Sequence, residues 1–150
     1  MGLNMENMIK YLFKEPGKDF ELREHPIDYS IRKDMNQEWI LSVGSAAIGK
    51  NLYIYFDDLG IYDYSKHRIE YNFNIPSSND AFQNQIFGNV IIEKVNYSGE
   101  PVDISIEDIN FIKSIVFTVS DKDIYTINHP VVKQFMSEEF IKAIEREYNK

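Results

Sequence analysis

Residues Ile86 to Ile109 read IFGNVIIEKVNYSGEPVDISIEDI. From Ile86 to Val95 the run is nearly continuous in apolar residues, the pattern of a strand covered on both faces. Gly88 inside it points to a bulge or a close backbone approach. Tyr97-Ser98-Gly99-Glu100-Pro101 reads as a turn. Ser105 then precedes Ile106, Glu107 and Asp108, a helix start. Its hydroxyl can satisfy a free backbone N–H, and the two carboxylates sit at the positive end of the helix dipole. Ile106, Ile109, Phe111 and Ile112 give that helix a stripe to bury. Central strand, turn and capped helix make this segment fold-determining rather than chemical.

Upstream, Met8 to Phe13 (MIKYLF) reads as a strand, with Ile9, Tyr11 and Phe13 alternating with Lys10 and Leu12. Pro16-Gly17 is a turn signal in which Gly17 supplies the positive φ of a type II turn. FELRE returns as the second strand of a hairpin. Ser30 to Met35 is expected as a short helix capped by Ser30 or Asp28, and Trp39 to Val43 as a strand. SAAIGK reads as a loop of small residues. NLYIYFDDLGIYDY is expected to form a hairpin. In it Leu52, Ile54 and Phe56 share one face, Tyr53 and Tyr55 the other, Asp57-Asp58-Leu59-Gly60 turns the chain, and Ile61 to Tyr64 returns. In RIEYNFNI, alternation puts Ile69, Tyr71, Phe73 and Ile75 on one side, and Pro76 to Asp80 is a loop.

Downstream, SIVFTV and DIYTI flank Ser120-Asp121-Lys122-Asp123 as a further hairpin. The C-terminus is helical: Val132, Met136, Phe140, Ile144 and Tyr148 recur at i, i+4, with Pro130 suited to a first helical position. Ser137 could cap a separate helix, so residues 130–149 form one helix or two. The fold class is α+β: a mostly antiparallel sheet built from hairpins, a short internal helix, and a C-terminal helical segment packed on it.

The chain has 150 residues, 43% of them hydrophobic, with ten Phe and ten Tyr. That is enough for one domain, 1–150, with a substantial core. No apolar run approaches the roughly 18 residues of a membrane helix, so no membrane association is expected. MGLNMENMIK lacks the pattern of a secretory signal, and Glu6 breaks the myristoylation pattern that Gly2 begins. There is no cysteine, which excludes disulfides and thiolate chemistry and suits a reducing cytoplasm. The formal net charge is −8, spread over both halves of the chain. Direct nucleic-acid binding, which needs clustered Lys and Arg, is not expected.

Motifs for chemistry are weak. His25, His67 and His129 are isolated, so no metal site is expected. GSAAIGKN, from Gly44 to Asn51, has the spacing of a phosphate loop, but Asn51 stands where Ser or Thr is needed and a strand follows instead of a helix. It reads as a loop by chance resemblance. Asp57 and Asp58 could bind a cation or act in acid–base work, but a turn accounts for them. The most suggestive cluster is a binding surface of Tyr53, Tyr55, Asp57, Asp58, Tyr62 and Tyr64, unless the C-terminal helix covers it. No catalytic residue or cofactor is assigned.

EPGKDFELRE, IFGNVII and GEPVDISIEDI together resemble the family catalogued as domain of unknown function 3846, over about residues 9–112. Residues 113–150 would be an extension carrying the C-terminal helix. Where that family has Val-Gly-Gly before its middle strand, this chain has Met35-Asn36-Gln37-Glu38. The resemblance implies a small protein of bacterial phages, plasmids or conjugative elements, and supplies no activity or catalytic residues. It leads to the expectation of an acidic accessory protein that binds another protein, in one version by mimicking DNA against a restriction enzyme. The alternative is a small metal- or nucleotide-dependent enzyme using the loops around Gly49 and Asp57.

Overall fold

The computed structural model describes residues 7–27, 43–67, 69–76 and 85–148. The helix expected at Ser30–Met35, most of the strand expected at Trp39–Val43, and the loop after Pro76 lie outside them. The described strands are β1 (Met8–Lys14), β2 (Glu21–Pro26), β3 (Val43–Gly49), β4 (Leu52–Asp57), β5 (Tyr71–Asn74), β6 (Gln85–Phe87), β7 (Val90–Val95) and β8 (Pro101–Val102). The helices are α1 (Gly60–His67), α2 (Ile106–Ile115), α3 (Pro130–Phe135) and α4 (Glu138–Tyr148). The domain is α+β. All pairings are antiparallel: a large sheet in the order β2-β1-β7-β4-β3, with β8 added to β7, and a small sheet of β5 and β6.

The β1–β2 hairpin follows the sequence closely. Gly17 has φ +77°, and the Lys18 N–H donates to the Glu15 carbonyl at 3.2 Å, so Pro16-Gly17 forms the type II turn. β7 lies at the centre, between β1 and β4, and Val90, Ile91, Ile92 and Glu93 are all buried. Ile92 joins Leu12, Ile54 and Ile112 in the core between the sheet and α2. Ile91 joins Tyr11 and Phe13 on the opposite face.

The expected single strand from Ile86 to Val95 is in fact two. At Gly88, φ is +76°, a conformation that side chains strain against. There the chain leaves the small sheet and enters the large one. The break is held on both sides: the Gly88 N–H donates to the Glu70 carbonyl at 2.8 Å, and its own carbonyl accepts from Asn72 Nδ2 at 2.8 Å.

Three further expectations are corrected. GSAAIGKN is not a loop: it is strand β3 plus a tight turn, with Lys50 and Asn51 at φ 53° and 63°, the geometry whose twist suits a two-residue hairpin. Ile61 to Tyr64 does not return as a strand beside β4 but lies in α1. A strand has two edges, and those of β4 are taken by β3 and β7. SIVFTV and DIYTI form no hairpin. Ser114 and Ile115 finish α2, Phe117 makes an isolated bridge to Asn74, and Asp121–Asp123 is a single 3-10 turn. The backbone that would have paired is satisfied elsewhere: the Tyr125 N–H donates to Gln85 Oε1 at 2.6 Å.

The alternation expected in RIEYNFNI is also broken. A register shift between Tyr71 and Phe73 rotates the strand. Ile69 and Tyr71 therefore pack in one core and Phe73 and Ile75 in the other. The second core gathers Ile61, Tyr62, Phe87, Val132, Met136 and Ile144, and so buries α1 against α3 and α4. The C-terminal segment is two helices. Met136 leaves helical geometry at φ −110°, ψ 89°, and Ser137 Oγ accepts from the Phe140 N–H at 3.2 Å to start α4.

Candidate functional site

Two places stand out: a cavity with the buried Asp57 carboxyl in its wall, and an acidic corner with exposed apolar side chains. The cavity has a volume of about 420 Å³ and lies where β3, the end of β4 and the start of α1 meet. Ser45, Asp57, Asp58, Gln85 and Met136 are among its walls. Asp57 closes β4 and launches α1. Its Oδ1 accepts from the Leu59 N–H at 2.9 Å, and the Asp63 N–H donates to the Leu59 carbonyl at 2.9 Å as the helix begins. Gly60 lets α1 approach the small sheet, since a Cβ there would sit 2.7 Å from the Phe87 ring. Gly44 likewise leaves room for the Asp58 carboxylate, 2.7 Å from where its Cβ would be.

Asp57 is only 3% exposed and Asp63 is fully buried. Burial is the main cause that pushes the Asp57 carboxyl up to about 9, helped by its hydrogen bond to Asp63 and by the charges of Asp63 and Asp58. At neutral pH Asp57 therefore holds its proton. Asp57 serves its turn as the sequence suggested, but it is buried rather than on a surface. Asp63 sits six residues further on, in a segment read as a strand, so nothing in the sequence paired the two.

The tyrosine surface is not assembled. Tyr53 and Tyr55 lie half-buried on β4, where Tyr55 packs against Tyr11, Phe13 and Ile91. Tyr62 is buried in the second core beneath the C-terminal helices, and Tyr64 stacks near Phe87 with ring centroids 5.0 Å apart. The physical reason is the one given above: Tyr62 and Tyr64 ride on a helix, away from the face of β4. The C-terminal helices cover the α1 pair, as the covered alternative required. Of the six residues, Asp58 alone is exposed.

The histidines are all engaged. His129 caps α3, its Nδ1 accepting from the Val131 N–H at 3.1 Å, and stacks on Tyr125. His67 meets Tyr62 edge-on. His25 is buried beside Tyr11, with Nδ1 2.6 Å from the Pro26 carbonyl and Nε2 2.6 Å from Glu93 Oε1. Both ring nitrogens lie within hydrogen-bond distance of an oxygen. These two residues lie 68 apart in sequence, and β2 and β7 bring them together across β1. Among the described residues, no group of three His, Asp or Glu side chains could hold a metal ion.

The second place is the corner formed by the β7–β8 turn and the start of α2. Lys94 on β7 holds Asp108 of the first turn of α2, Nζ to Oδ2 2.9 Å, which fixes the helix start against the sheet. Asp108 also completes a capping box with Ser105. Around this anchor Tyr97 is 99% exposed and Ile106 is 75% exposed. Glu100, Asp103 and Glu107 are exposed in the same segment, and no Lys or Arg occurs in sequence between Lys94 and Lys113, while the exposed Lys10 adjoins Asp103, its N–H donating to Oδ1 at 2.9 Å. No family model, no curated protein and no solved structure matches the chain. The corner lies within Ile86 to Ile109, where the sequence places Tyr97 in a turn and Ile106 in a buried stripe. A helix-start position points outward when the core lies under the next turn, and the sequence alone could not orient it. No helix among the described residues is long and apolar enough to cross a membrane.

Proposed function

We propose that the chain is a small acidic accessory protein that acts by binding another protein. The observation that carries this reading is the corner at Tyr97 and Ile106. Among the described residues these are the two most exposed of the large hydrophobic side chains, and they stand in a stretch whose charges from Glu100 to Asp108 are all acidic. An exposed tyrosine offers a large contact area for little lost entropy and is typical of interface hot spots. An acidic surround steers a basic partner and repels an acidic one. Its placement in a bacterial phage or mobile element rests on the resemblance in EPGKDFELRE, IFGNVII and GEPVDISIEDI.

Affinity capture from lysate of the native host, with wild type and with the Tyr97→Ser/Ile106→Ser variant side by side, tests this. The expected result is one dominant, salt-sensitive partner held by wild type and lost by the variant while its circular dichroism is unchanged. A partner held equally by both sinks the reading. In the narrower version, mimicry of DNA against a basic groove, duplex DNA competes for the same partner.

A second reading, a small metal- or nucleotide-dependent enzyme, draws on the cavity that brings Ser45 to Asp57 and Asp58. Strongly perturbed carboxyls in a cleft are a recurring mark of functional sites. Gly49 has no part in it, because it pairs with Leu52 at the far end of the hairpin from the Gly44–Phe56 pair. Thermal-shift screening with nucleotides and divalent cations separates the readings: a ligand at 100 times its Kd adds about 2.7 kcal/mol to stability. No shift at saturation ends the enzyme reading.

A further inference from the structure

The large sheet ends in two edge strands of opposite character. β2 carries Glu21, Arg23, Glu24 and His25 and finishes at Pro26, which has no N–H to offer. Charges and proline are the devices by which edges refuse an added strand. β3 is seven residues long, VGSAAIG, and carries neither. Among the described residues no strand pairs with its outer side. Ser45, Ala46 and Ala47 are exposed although alternate residues face opposite sides of the sheet. Among the described residues the middle of β3 is thus unpaired along its outer edge, with Ser45, Ala46 and Ala47 exposed. A bulge between Ala47 and Gly49, followed by the Lys50-Asn51 turn, limits the straight part to Val43–Ala47.

We infer that β3 pairs antiparallel with β3 of a second copy, about a two-fold axis at Ser45, to form a continuous sheet across a homodimer. The register sets Val43 against Ala47, Gly44 against Ala46, and Ser45 against Ser45. Two features favour the chain itself over a foreign segment. An added strand is chosen by pockets for its alternate side chains, and Gly44, Ser45, Ala46 and Ala47 form none. They suit an equally small stretch, which this strand supplies in the opposite sense, with Val43 the one branched residue in the register. Charge points the same way. Two copies each carrying −8 repel one another, and β3 itself has no charged side chain from Val43 to Gly49 to set opposite its copy, the Asp58 carboxylate lying beside Gly44 on one face of the strand. The inference is independent of the acidic corner, which lies on a different part of the chain.

Light scattering coupled to size exclusion on the full chain tests it, over a hundredfold range of concentration. Wild type is expected to run at twice the 17.7 kDa chain mass. Ser45→Lys and Ser45→Glu each place like charges directly across the axis, and each is expected to run as a folded monomer by circular dichroism. An equimolar mixture of the two variants is expected to recover the dimer mass, since Lys then faces Glu. A wild type that is monomeric throughout overturns the inference. So does a dimer that survives both charged variants, which would use another surface.

Discussion

Asp57 and Asp63 are two carboxyl groups shut away from water at the start of a helix, and Asp57 has the stability consequence that can be read. Its carboxyl is raised from the usual range to about 9 by burial and by Asp63. The unfolded chain releases that proton near pH 4, the folded chain only near 9, so between them the folded state holds more protons and stability falls as the pH rises. Asp57→Asn keeps the acceptor for the Leu59 N–H and supplies a permanent donor toward Asp63. Melting curves of the variant are expected to match wild type near pH 4 and to lie progressively above it up to about pH 9. A constant offset would contradict the raised Asp57 carboxyl. His25 and Glu93 are the other buried ionisable partners. Breaking such a pair by one substitution costs about 3–5 kcal/mol, whereas replacing both by apolar groups costs much less. Denaturant unfolding of His25→Phe, Glu93→Leu and the double variant is therefore expected to show the double more stable than either single. Neither pair was legible in the sequence: residues 6 and 68 apart meet only through a turn and a sheet order that periodicity does not reveal.

The capped start of α2 was legible, because every group in it is local. The Asp108 N–H donates to Ser105 Oγ at 3.1 Å, and the Ser105 N–H donates to Asp108 Oδ2 at 2.9 Å. Ser105→Ala is expected to cost about 1 kcal/mol in denaturant unfolding. Burial works against the charge of Asp108, but the hydrogen bonds from Ser105 and the Lys94 ammonium outweigh it and hold the carboxyl below its usual range. Its contribution is present above the ordinary carboxylate pKa of about 3.9 and is lost as the pH falls through the lower folded value. Asp57 and Asp108 thus act in opposite directions across the pH range. α1 was misread for an instructive reason. LYIYF followed by DDLG has the form of a strand and its turn, yet the same Asp-based turn launches a helix equally well. The edges of β4 decided between them, and they are filled by segments far away in sequence or, in the case of β3, by residues too small to register as a strand.

Two cores share the small sheet as their common wall, and Asn72 ties that wall to the large sheet. Its Nδ2 donates to the carbonyls of Lys14 at 3.1 Å and Gly88 at 2.8 Å, while its Oδ1 accepts from Lys14 Nζ at 2.6 Å. Burial lowers the Lys14 ammonium and Asp19 partly restores it, so the lysine depends on this partner. Asn72→Leu strands buried polar groups, each worth about 1–3 kcal/mol, and is expected to lower the melting temperature more than Asn72→Asp, which keeps an acceptor for Lys14. Equal losses would show that the tie to Lys14 contributes nothing. The β1–β2 hairpin, the type II turn, the apolar β7 and the helix starts at Ser105 and Pro130 could all be written down from the chain because each rests on torsional preference, alternation or capping within a few residues. The break at Gly88, the bulge that sends Tyr71 and Phe73 to different cores, and the exposure of Tyr97 and Ile106 could not. Each depends on which distant surface arrives at a given face, and burial is a property of that arrival rather than of the residue.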